Sequence, residues 1–220
     1  LFWGGAVNYG IMNVLKFAKK NDWILLVNND TEFKSNAITE LIKNSKKFKR
    51  KVIMGALTVS FNDKKTIIKS GTIVKSWFLN ITSHKFVGLN LNKLKVKKPV
   101  KVDFLTGRCL LHPIEIFRKV KNYNSKIFPH YGADDEFSIR VKKFGYLTIL
   151  CPTSIVYLKD NNEIKKKINF KSFLFTFFSI KSSSNIINKF NLALIAVPFY
   201  AKLSFFIVGI IKSLIIFLKR

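Results

Sequence analysis

The stretch WILLVNNDT, from Trp23 to Thr31, places five apolar residues directly before four polar ones. A short apolar run with polar ends is typical of a strand buried on both faces of a parallel sheet. Ligands of open α/β sheets bind beyond the carboxyl ends of the strands, so Asn29 and Asp30 are candidates for a binding site. One carboxylate beside carboxamides suits Mg²⁺ or Mn²⁺ when phosphate oxygens and water complete the shell. Taken alone, however, these residues are explained more simply as a polar turn in which Asp30 or Thr31 caps the next helix.

Strands and helices alternate along the rest of the first 160 residues. Helices are predicted where apolar residues recur every three or four positions, and strands where short apolar runs occur. In chain order, the predicted elements are helix 8–20, strand 23–27, helix 35–48, strands 52–60, 66–74 and 102–112, helices 114–119 and 134–144, and two short strands on either side of Pro152. This alternation predicts an α/β domain over residues 1–160, with a mostly parallel sheet flanked by helices. The lysine-rich segment 76–101 is predicted to be an exposed, irregular excursion.

The composition changes after residue 160, and the segment 161–220 is predicted to form C-terminal apolar helices that associate with a membrane. The stretch 191–218 is overwhelmingly apolar and long enough to span a bilayer. On a helical wheel at ~100° per residue, Lys202, Lys212 and Lys219 fall within about a third of the circumference. This pattern favours a helix in the membrane interface with its lysines facing the head groups. A spanning helix and a buried helix hairpin of the globular domain are the alternatives.

The chain carries a formal net charge of +27 at pH 7, and nearly all of its cations are lysines. Such a charge suggests a polyanionic partner, although the abundance of Lys, Ile, Asn and Phe also fits a compositional bias of the gene. We do not expect nucleic acid as the partner, because arginine forks and aromatics interleaved with basic residues are not evident in the sequence. The two cysteines, Cys109 and Cys151, form no metal spacing and no disulfide framework, which fits a reducing cytosol.

Three adjacent acids, Asp134, Asp135 and Glu136, open the predicted helix of the stretch HYGADDEFSIRVKKFGY, residues 130–146. The helix dipole stabilises an acid at this position, but three neighbouring acids repel one another. Glu136 and Arg140 are four residues apart, so they can pair on one face of the helix. Asp134 is then left on the Gly-Ala side, where it could face a cleft and act as a general base toward a hydroxyl.

The segment FLTGRCLL, residues 104–111, combines a glycine and an arginine within a predicted strand. Gly107 would permit the close approach of a ligand or of another backbone segment. Arg108 would place a positive charge beside that gap. A surface arginine after a β-bulge is the alternative interpretation.

These motifs, in this order, resemble those of family 2 glycosyltransferases of the GT-A fold. The family pattern is a helix start with Gly and Asn, a strand ending in Asn-x-Asp-Thr, a strand with a Thr-Gly segment, and an acidic helix that ends in Arg and Gly-Tyr. The corresponding segments are WGGAVNYGI, LLVNNDTEF, DFLTGRCLL and HYGADDEFSIRVKKFGY, and the resemblance covers residues 1–158. Among subgroups, FWGGAVNYG and FPHYGADDEF most resemble the rhamnosyltransferase-like branch, which does not fix the sugar.

The resemblance implies a metal site and a catalytic base. Asp30 would bind Mg²⁺ or Mn²⁺ bridging the diphosphate of the donor, although Asn28 stands where many members have a first Asp. Asp134, aligned through Arg140, would be the base, and Asp135 is the alternative if the register shifts by one residue.

The resemblance also divides the matched residues between the two substrates. Donor binding is implied for Asn8, Asn29 and Asp30. A place in the acceptor cleft is implied for Gly107, Arg108, Glu136 and Arg140. Many members carry a His after the last strand, where this chain has Tyr157 or Leu158. The family's first strand-helix-strand unit, which holds the nucleotide base, has no counterpart before Leu1, so we expect the chain to be N-terminally incomplete.

The implied activity is inverting transfer of a sugar from a nucleotide-diphosphate donor to a hydroxyl of a glycan or lipid-linked acceptor. The expected setting is cell-surface polysaccharide synthesis at the cytoplasmic face of the cell membrane. The principal alternative is a catalytically inactive, membrane-bound fragment or scaffold of the same fold. A basic nucleic-acid-binding protein is the weaker alternative.

Overall fold

A computed structural model of the chain describes residues 1–159 and 168–219 as a mixed α/β fold followed by a layer of helices. The strands in these residues are β1 (Trp23–Val27), β2 (Thr31–Phe33), β3 (Val52–Ser60), β4 (Ile67–Lys69), β5 (Thr72–Ser76), β6 (Ile81–His84), β7 (Val100–Lys101), β8 (Cys109–Pro113) and β9 (Leu147–Leu158). The helices are α1 (Trp3–Val14), α2 (Ala37–Ser45), α3 (Glu115–Val120), α4 (Ala133–Lys143), α5 (Phe170–Phe178), α6 (Ile186–Ala196) and α7 (Lys202–Leu218). The boundary predicted at residue 160 lies outside the described residues.

Seven strands form one mixed sheet. Its order is β1-β8-β3-β9-β2, with β4 added on β3 and β7 on β9. In the described part of the chain, β3 and β9 are the one parallel pair of this sheet, and its other pairings are antiparallel. The prediction of a mostly parallel sheet is therefore wrong. β8 is reached through a long excursion and not through a crossover helix, so it enters between β1 and β3 running opposite to both.

The parallel pair of β3 and β9 forms the centre of the sheet. Cys151 pairs with Ala56 and Ile155 pairs with Leu57, so Pro152 falls inside a bulge of β9. A bulge tolerates proline because the ladder needs no N–H donor there. The two short strands predicted around Pro152 are consequently one continuous, bulged strand.

β1 lies at one edge of the sheet and pairs with β8 alone among the described strands. Ile24 is buried, but Val27 is 41% exposed. The prediction that this strand is buried on both faces is therefore wrong, because all of its residues except Ile24 are half-buried or exposed.

Two apolar clusters fill the two faces of the sheet, and β3 contributes to both. On one face, Leu41 of α2 packs in the cluster that contains Met54. On the other, Ile11 of α1 and Phe137 of α4 belong to the cluster that contains Ile53. Successive residues of β3 point to opposite faces because the side-chain period of a strand is two.

The C-terminal helices pack against the hairpin formed by β5 and β6. Trp77, at the end of β5, lies with its ring centroid 5.9 Å from that of Phe205 on α7. The Nζ of Lys212 donates to the carbonyls of Leu79 and Asn80 in the hairpin turn, at 3.3 Å and 2.5 Å. Lys212 thus contacts the hairpin turn while remaining exposed, and its contact with head groups stays a prediction.

The stretch Phe199–Leu218 is, among the described residues, the one helical segment long and apolar enough to cross a membrane, with a mean hydropathy of 2.1. The residues of α7 that turn inward recur every four positions. They are Phe205, Gly209, Ser213 and Phe217. α7 is therefore held against the domain along most of its length.

We predict a pH-dependent contribution to stability from His112, which lies fully buried on β8. Its Nδ1–H donates to the Leu110 carbonyl, and its Nε2 accepts from the Tyr123 hydroxyl, each at 3.1 Å. Burial lowers the pKa of His112 from 6.5 to about 4. As the pH falls, His112 is therefore protonated in the unfolded chain before it is protonated in the folded chain. The free energy of unfolding that His112 contributes is fully present above pH 6.5 and decreases by about 3 kcal/mol as the pH falls toward 4.

The measurement is urea denaturation of the wild type and of His112→Gln at pH 7.5 and pH 4.5. Because other groups titrate equally in both proteins, the difference between their free energies of unfolding isolates His112. The wild type should lose more stability on acidification than the variant does. Parallel losses in the two proteins would contradict the prediction.

Candidate functional site

The turn after β1 and the loop before β8 meet at one end of the sheet. The backbone N–H of Asn28 donates to the carbonyl of Arg108 at 3.1 Å, and the N–H of Thr31 donates to the carbonyl of Asn28 at 3.2 Å. The second bond closes a tight turn with Asn29 and Asp30 at its tip, where both are exposed. The carboxylate of Asp30 is thus free to bind a ligand at the strand end.

Trp3 on α1 packs into this junction. Its indole Nε1 donates to the Oδ1 of Asn28 at 3.0 Å. A Cβ on Gly107 would collide with the Trp3 ring, so the close approach predicted at this glycine is that of an aromatic side chain. Trp3 was missed by the sequence interpretation, and its position at the start of the motif WGGAVNYGI is the signal that could have identified it.

Asp134 ties the start of α4 to the same loop. The helix begins after Gly132, whose φ of +88° is a left-handed conformation that favours glycine. The Oδ2 of Asp134 accepts from the N–H of Gly107 at 2.9 Å, and its Oδ1 accepts from the N–H of Asp135 at 3.1 Å. Burial raises the pKa of Asp134 above its ordinary value, while these bonds and the charge of Arg108 oppose the rise. The result is a carboxylate of raised basicity beside Gly107.

Asp135, the next residue, points elsewhere. Burial and the charge of Asp134 raise its pKa, and Lys189 on α6 opposes that rise. No residue in 1–159 or 168–219 donates a hydrogen bond to its side chain. The two neighbouring acids therefore serve different surroundings.

Glu136 and Arg140 form the ion pair that their spacing predicts. Arg140 donates from Nε to Oε1 at 2.7 Å and from Nη2 to Oε2 at 3.0 Å, and the Glu136 side chain is only 3% exposed. Arg140 also donates to the carbonyls of Val120 and Asn122. These contacts hold α4 against the end of α3, so both residues position the helix that carries Asp134.

Asn8 on α1 forms hydrogen bonds to the loop that follows α3. Its Oδ1 accepts from the N–H of Tyr123 at 3.0 Å, and its Nδ2 donates to the Tyr123 carbonyl at 2.7 Å and to the Ser125 Oγ at 2.9 Å. The side-chain amide of Asn8 is thus hydrogen-bonded to the loop that contains Tyr123 and Ser125. Direct contact between Asn8 and a donor stays a prediction, and it would require these bonds to open.

A cavity of about 590 Å³ runs along the outer edge of β1 and under α1. Its walls are mostly apolar, and its polar end is formed by Asn28, Asn29, Gly107 and His130. The Nη1 of Arg108 and the Nδ1 of His130 are buried without a hydrogen-bond partner in the described part of the chain. A buried polar group without a partner is costly, so a ligand with hydrogen-bonding oxygens beside these two side chains would be favourable. His130 was not singled out from the sequence.

The side chains fit a divalent cation only in part. Within residues 1–159 and 168–219 no group of three His, Cys, Asp or Glu side chains could hold a metal ion. Asp30 supplies one carboxylate, and the Oδ1 of Asn28 is already bonded to Trp3. This donor set suits Mg²⁺ or Mn²⁺ that retains water and takes further oxygens from a phosphorylated substrate.

Comparison with known proteins identifies the fold. No protein-family model and no curated protein matches the chain. The crystal structure of GalNAc-T7 with UDP, GalNAc and Mn²⁺ is similar to it, with a TM-score of 0.55 and 12% sequence identity. The similarity covers 93% of this chain but 40% of the GalNAc-T7 chain, so this chain spans less than half of that protein's length. At this identity the likeness shows the fold alone, a mixed α/β fold like that of the GT-A glycosyltransferases.

We predict that Gly107→Ala destabilises the protein. The added methyl group would push the Trp3 ring away from Asn28, and such overpacking costs about 1–3 kcal/mol. Gly10→Ala on α1 is the matched control, because nothing lies within 4 Å of a Cβ built there. Alanine in a helix is more favourable than glycine by roughly 0.5–1 kcal/mol, so the control should be neutral or stabilising. Urea denaturation followed by tryptophan fluorescence measures both, and equal midpoints for the two variants would refute the role of Gly107.

Proposed function

We propose that this protein is an inverting glycosyltransferase that moves a sugar from a nucleotide-diphosphate donor to a hydroxyl of a glycan or lipid-linked acceptor. The observation that carries the proposal is the bond from Gly107 to Asp134, which fixes a carboxylate beside Arg108 and the turn of Asn28. The shared fold supports nucleotide-sugar chemistry in general. The four sequence motifs support family 2 and its rhamnosyltransferase-like branch, and cell-surface polysaccharide synthesis as the setting.

The donor's diphosphate would bind at the polar end of the large cavity. The Nδ1 of His130, which lines this end, is buried without a hydrogen-bond partner among the described residues, and so is the Nη1 of Arg108, the residue after Gly107. Asn29 and Asp30 lie at the tip of the adjoining turn. A Mg²⁺ or Mn²⁺ ion bound at Asp30 would stabilise the charge that develops on the diphosphate when it leaves.

Asp134 is the proposed general base. Each of its oxygens accepts one backbone N–H, which fixes the carboxylate and still leaves lone pairs for a substrate hydroxyl. Asp134 takes the hydroxyl proton while the acceptor oxygen forms its bond to the anomeric carbon. The bond from that carbon to the diphosphate oxygen breaks on the opposite side, so the configuration inverts. Arg108 then lies beside the negative charge on the leaving group.

We also propose that the C-terminal helices hold the protein on the cytoplasmic face of a membrane. Exposed apolar residues recur along α7 mostly every four positions and form its outward stripe. They are Leu203, Ile207, Ile211, Ile215 and Leu218. α5 and α6 expose similar stripes, including Leu174, Phe178, Phe190 and Leu194. The net charge of +27 suits the anionic cytoplasmic leaflet. Because the inward side of α7 is bonded to the hairpin, the helix would lie along the surface of the membrane and not cross it.

The function is tested by incubating the full chain with a panel of nucleotide-diphospho-sugars and Mn²⁺ and measuring nucleoside diphosphate release. Asp134→Asn should reduce turnover by ~10²-fold or more, since it removes the base while keeping the shape of the side chain. Asp135→Asn should be less damaging. The reverse order would show that Asp135 is the base, and no release from any donor by the folded wild type would reject the proposed function.

The metal is tested in the same assay. Chelator should remove the activity of the wild type, and Asp30→Ala should abolish the response to added Mn²⁺. Full activity of the wild type in excess chelator would rule out the metal at Asp30.

Membrane binding is predicted to depend on the outward stripe of α7. Ile207→Glu with Ile211→Glu should weaken partitioning into vesicles by about 100-fold, since each isoleucine contributes roughly 1.5 kcal/mol or more when buried. Ile38→Glu is the matched control, because Ile38 on α2 is 43% exposed, close to the 46% of Ile207 and 49% of Ile211. Flotation with neutral and with anionic vesicles, at low and high salt, separates insertion from charge attraction. Equal flotation of the double variant and the control would refute the proposal.

A further inference from the structure

A second cavity, of about 260 Å³, lies where the C-terminal helices meet the catalytic end of α4. One wall comes from the β5–β6 hairpin, another from the start of α4, and the remaining walls from α6 and α7. Pockets for drug-sized ligands are ~300–1,000 Å³, so this cavity suits a single small ring. It is lined by Asp135, the residue next to the proposed base.

An acidic and a basic side chain face this cavity from different helices. Asp135 belongs to α4, and Lys189 belongs to α6. Burial lowers the pKa of Lys189, and the charge of Asp135 opposes that fall. Neither side chain has a hydrogen-bond or ion-pair partner within residues 1–159 and 168–219. A ligand with several hydroxyl groups could bond to both at once, since a hydroxyl donates to a carboxylate and accepts from an ammonium.

The other walls combine an aromatic side with a polar side. Phe104 and Phe205 are both buried and both contact Trp77, with ring centroids 5.9 Å apart in each pair. On the hairpin, the Thr72 hydroxyl lies 3.2 Å from the Nδ1 of His84, and Thr82 is exposed beside them. An apolar wall opposite a few placed polar groups is the usual construction of a small-molecule pocket.

We infer that this cavity binds the acceptor as an uncharged sugar ring, with Lys189 of the C-terminal segment as a binding residue beside Asp135. The inference rests on the proposed function, in which Asp134, the residue before Asp135, takes the proton of the reacting hydroxyl. Apart from Asp135 and Lys189, the polar groups of the lining are two hydroxyls, an amide and an imidazole, which match the hydroxyl groups of a sugar better than a phosphate or a carboxylate. The C-terminal helices then form part of the substrate site in addition to meeting the membrane.

The test is binding of methyl glycosides to the full chain in detergent, by saturation-transfer difference NMR, with no donor present. The probes are the methyl pyranosides of glucose, galactose, mannose and rhamnose, with glucose 6-phosphate as the charged probe. At least one uncharged glycoside should bind the wild type, and glucose 6-phosphate should not displace it. Because the assay needs no turnover, its outcome is independent of whether the protein transfers sugar.

Two variants and one matched control define the outcome. Lys189→Met and Thr82→Val should each weaken glycoside binding, by about tenfold for the lysine, because a hydrogen bond from a charged group is lost. Lys181→Met, at an exposed lysine outside the cavity, should bind like the wild type. UDP binding with Mn²⁺ should be equal in all four proteins, and thermal melting should confirm that each is folded.

Three results would overturn the inference. They are no glycoside binding to the folded wild type, unchanged binding by both Lys189→Met and Thr82→Val, and tighter binding of glucose 6-phosphate than of any uncharged glycoside. If glycosides bind as expected but no donor is ever consumed, the cavity is a sugar site and the proposed transfer activity fails alone.

Discussion

The hydrogen bond from the Gly107 backbone to the Asp134 carboxylate joins the two halves of the candidate site. Gly107 belongs to the loop that leads into the sheet, whereas Asp134 opens a helix that packs on one face of the sheet. The loop in turn is bonded to the turn of Asn28, and Trp3 fills the gap that a glycine leaves. The positions of Trp3, Asn28 and Gly107 relative to Asp134 follow from that small set of contacts.

The three adjacent acids at the start of α4 contrast with the positive charge of the rest of the molecule. A chain with 39 Lys and Arg against 12 Asp and Glu surrounds its few acids with positive potential. Among the residues that the structure describes, only Glu136 of the acid triplet has a close ion-pair partner, because Arg140 donates to both of its oxygens. Asp134 and Asp135 are kept near each other without such partners, and burial raises the pKa of both. Acids in this state accept protons more readily than ordinary surface carboxylates, which is the property a general base requires.

The sequence predicted the local elements better than their arrangement. Val52–Ser60 is the predicted strand to the residue, and the pairing of Glu136 with Arg140 follows from a spacing of four. Strand direction was missed because it depends on how the chain returns to the sheet, and the long excursion before β8 carries no periodic signal. The sequence predicted a break between two strands at Pro152 because proline cannot donate a hydrogen bond to a neighbouring strand. That β9 pairs with β3 again beyond the bulge depends on the position of β3, which the local sequence does not show. The gathering of Trp3, Asn28 and Gly107 depends on tertiary contacts between residues up to about a hundred positions apart, which no local pattern encodes.

The bond between Lys212 and the hairpin turn has a kinetic consequence. It fixes α7 to the α/β fold, so a helix layer with an apolar outer surface also closes the small cavity beside Asp135. If the protein is the membrane-bound transferase proposed above, it would meet an acceptor embedded in the bilayer by lateral diffusion, in two dimensions and not three. Its rate would then follow the mole fraction of acceptor among the lipids and not the bulk concentration, because confinement to a shared surface raises the effective concentration of one partner for the other.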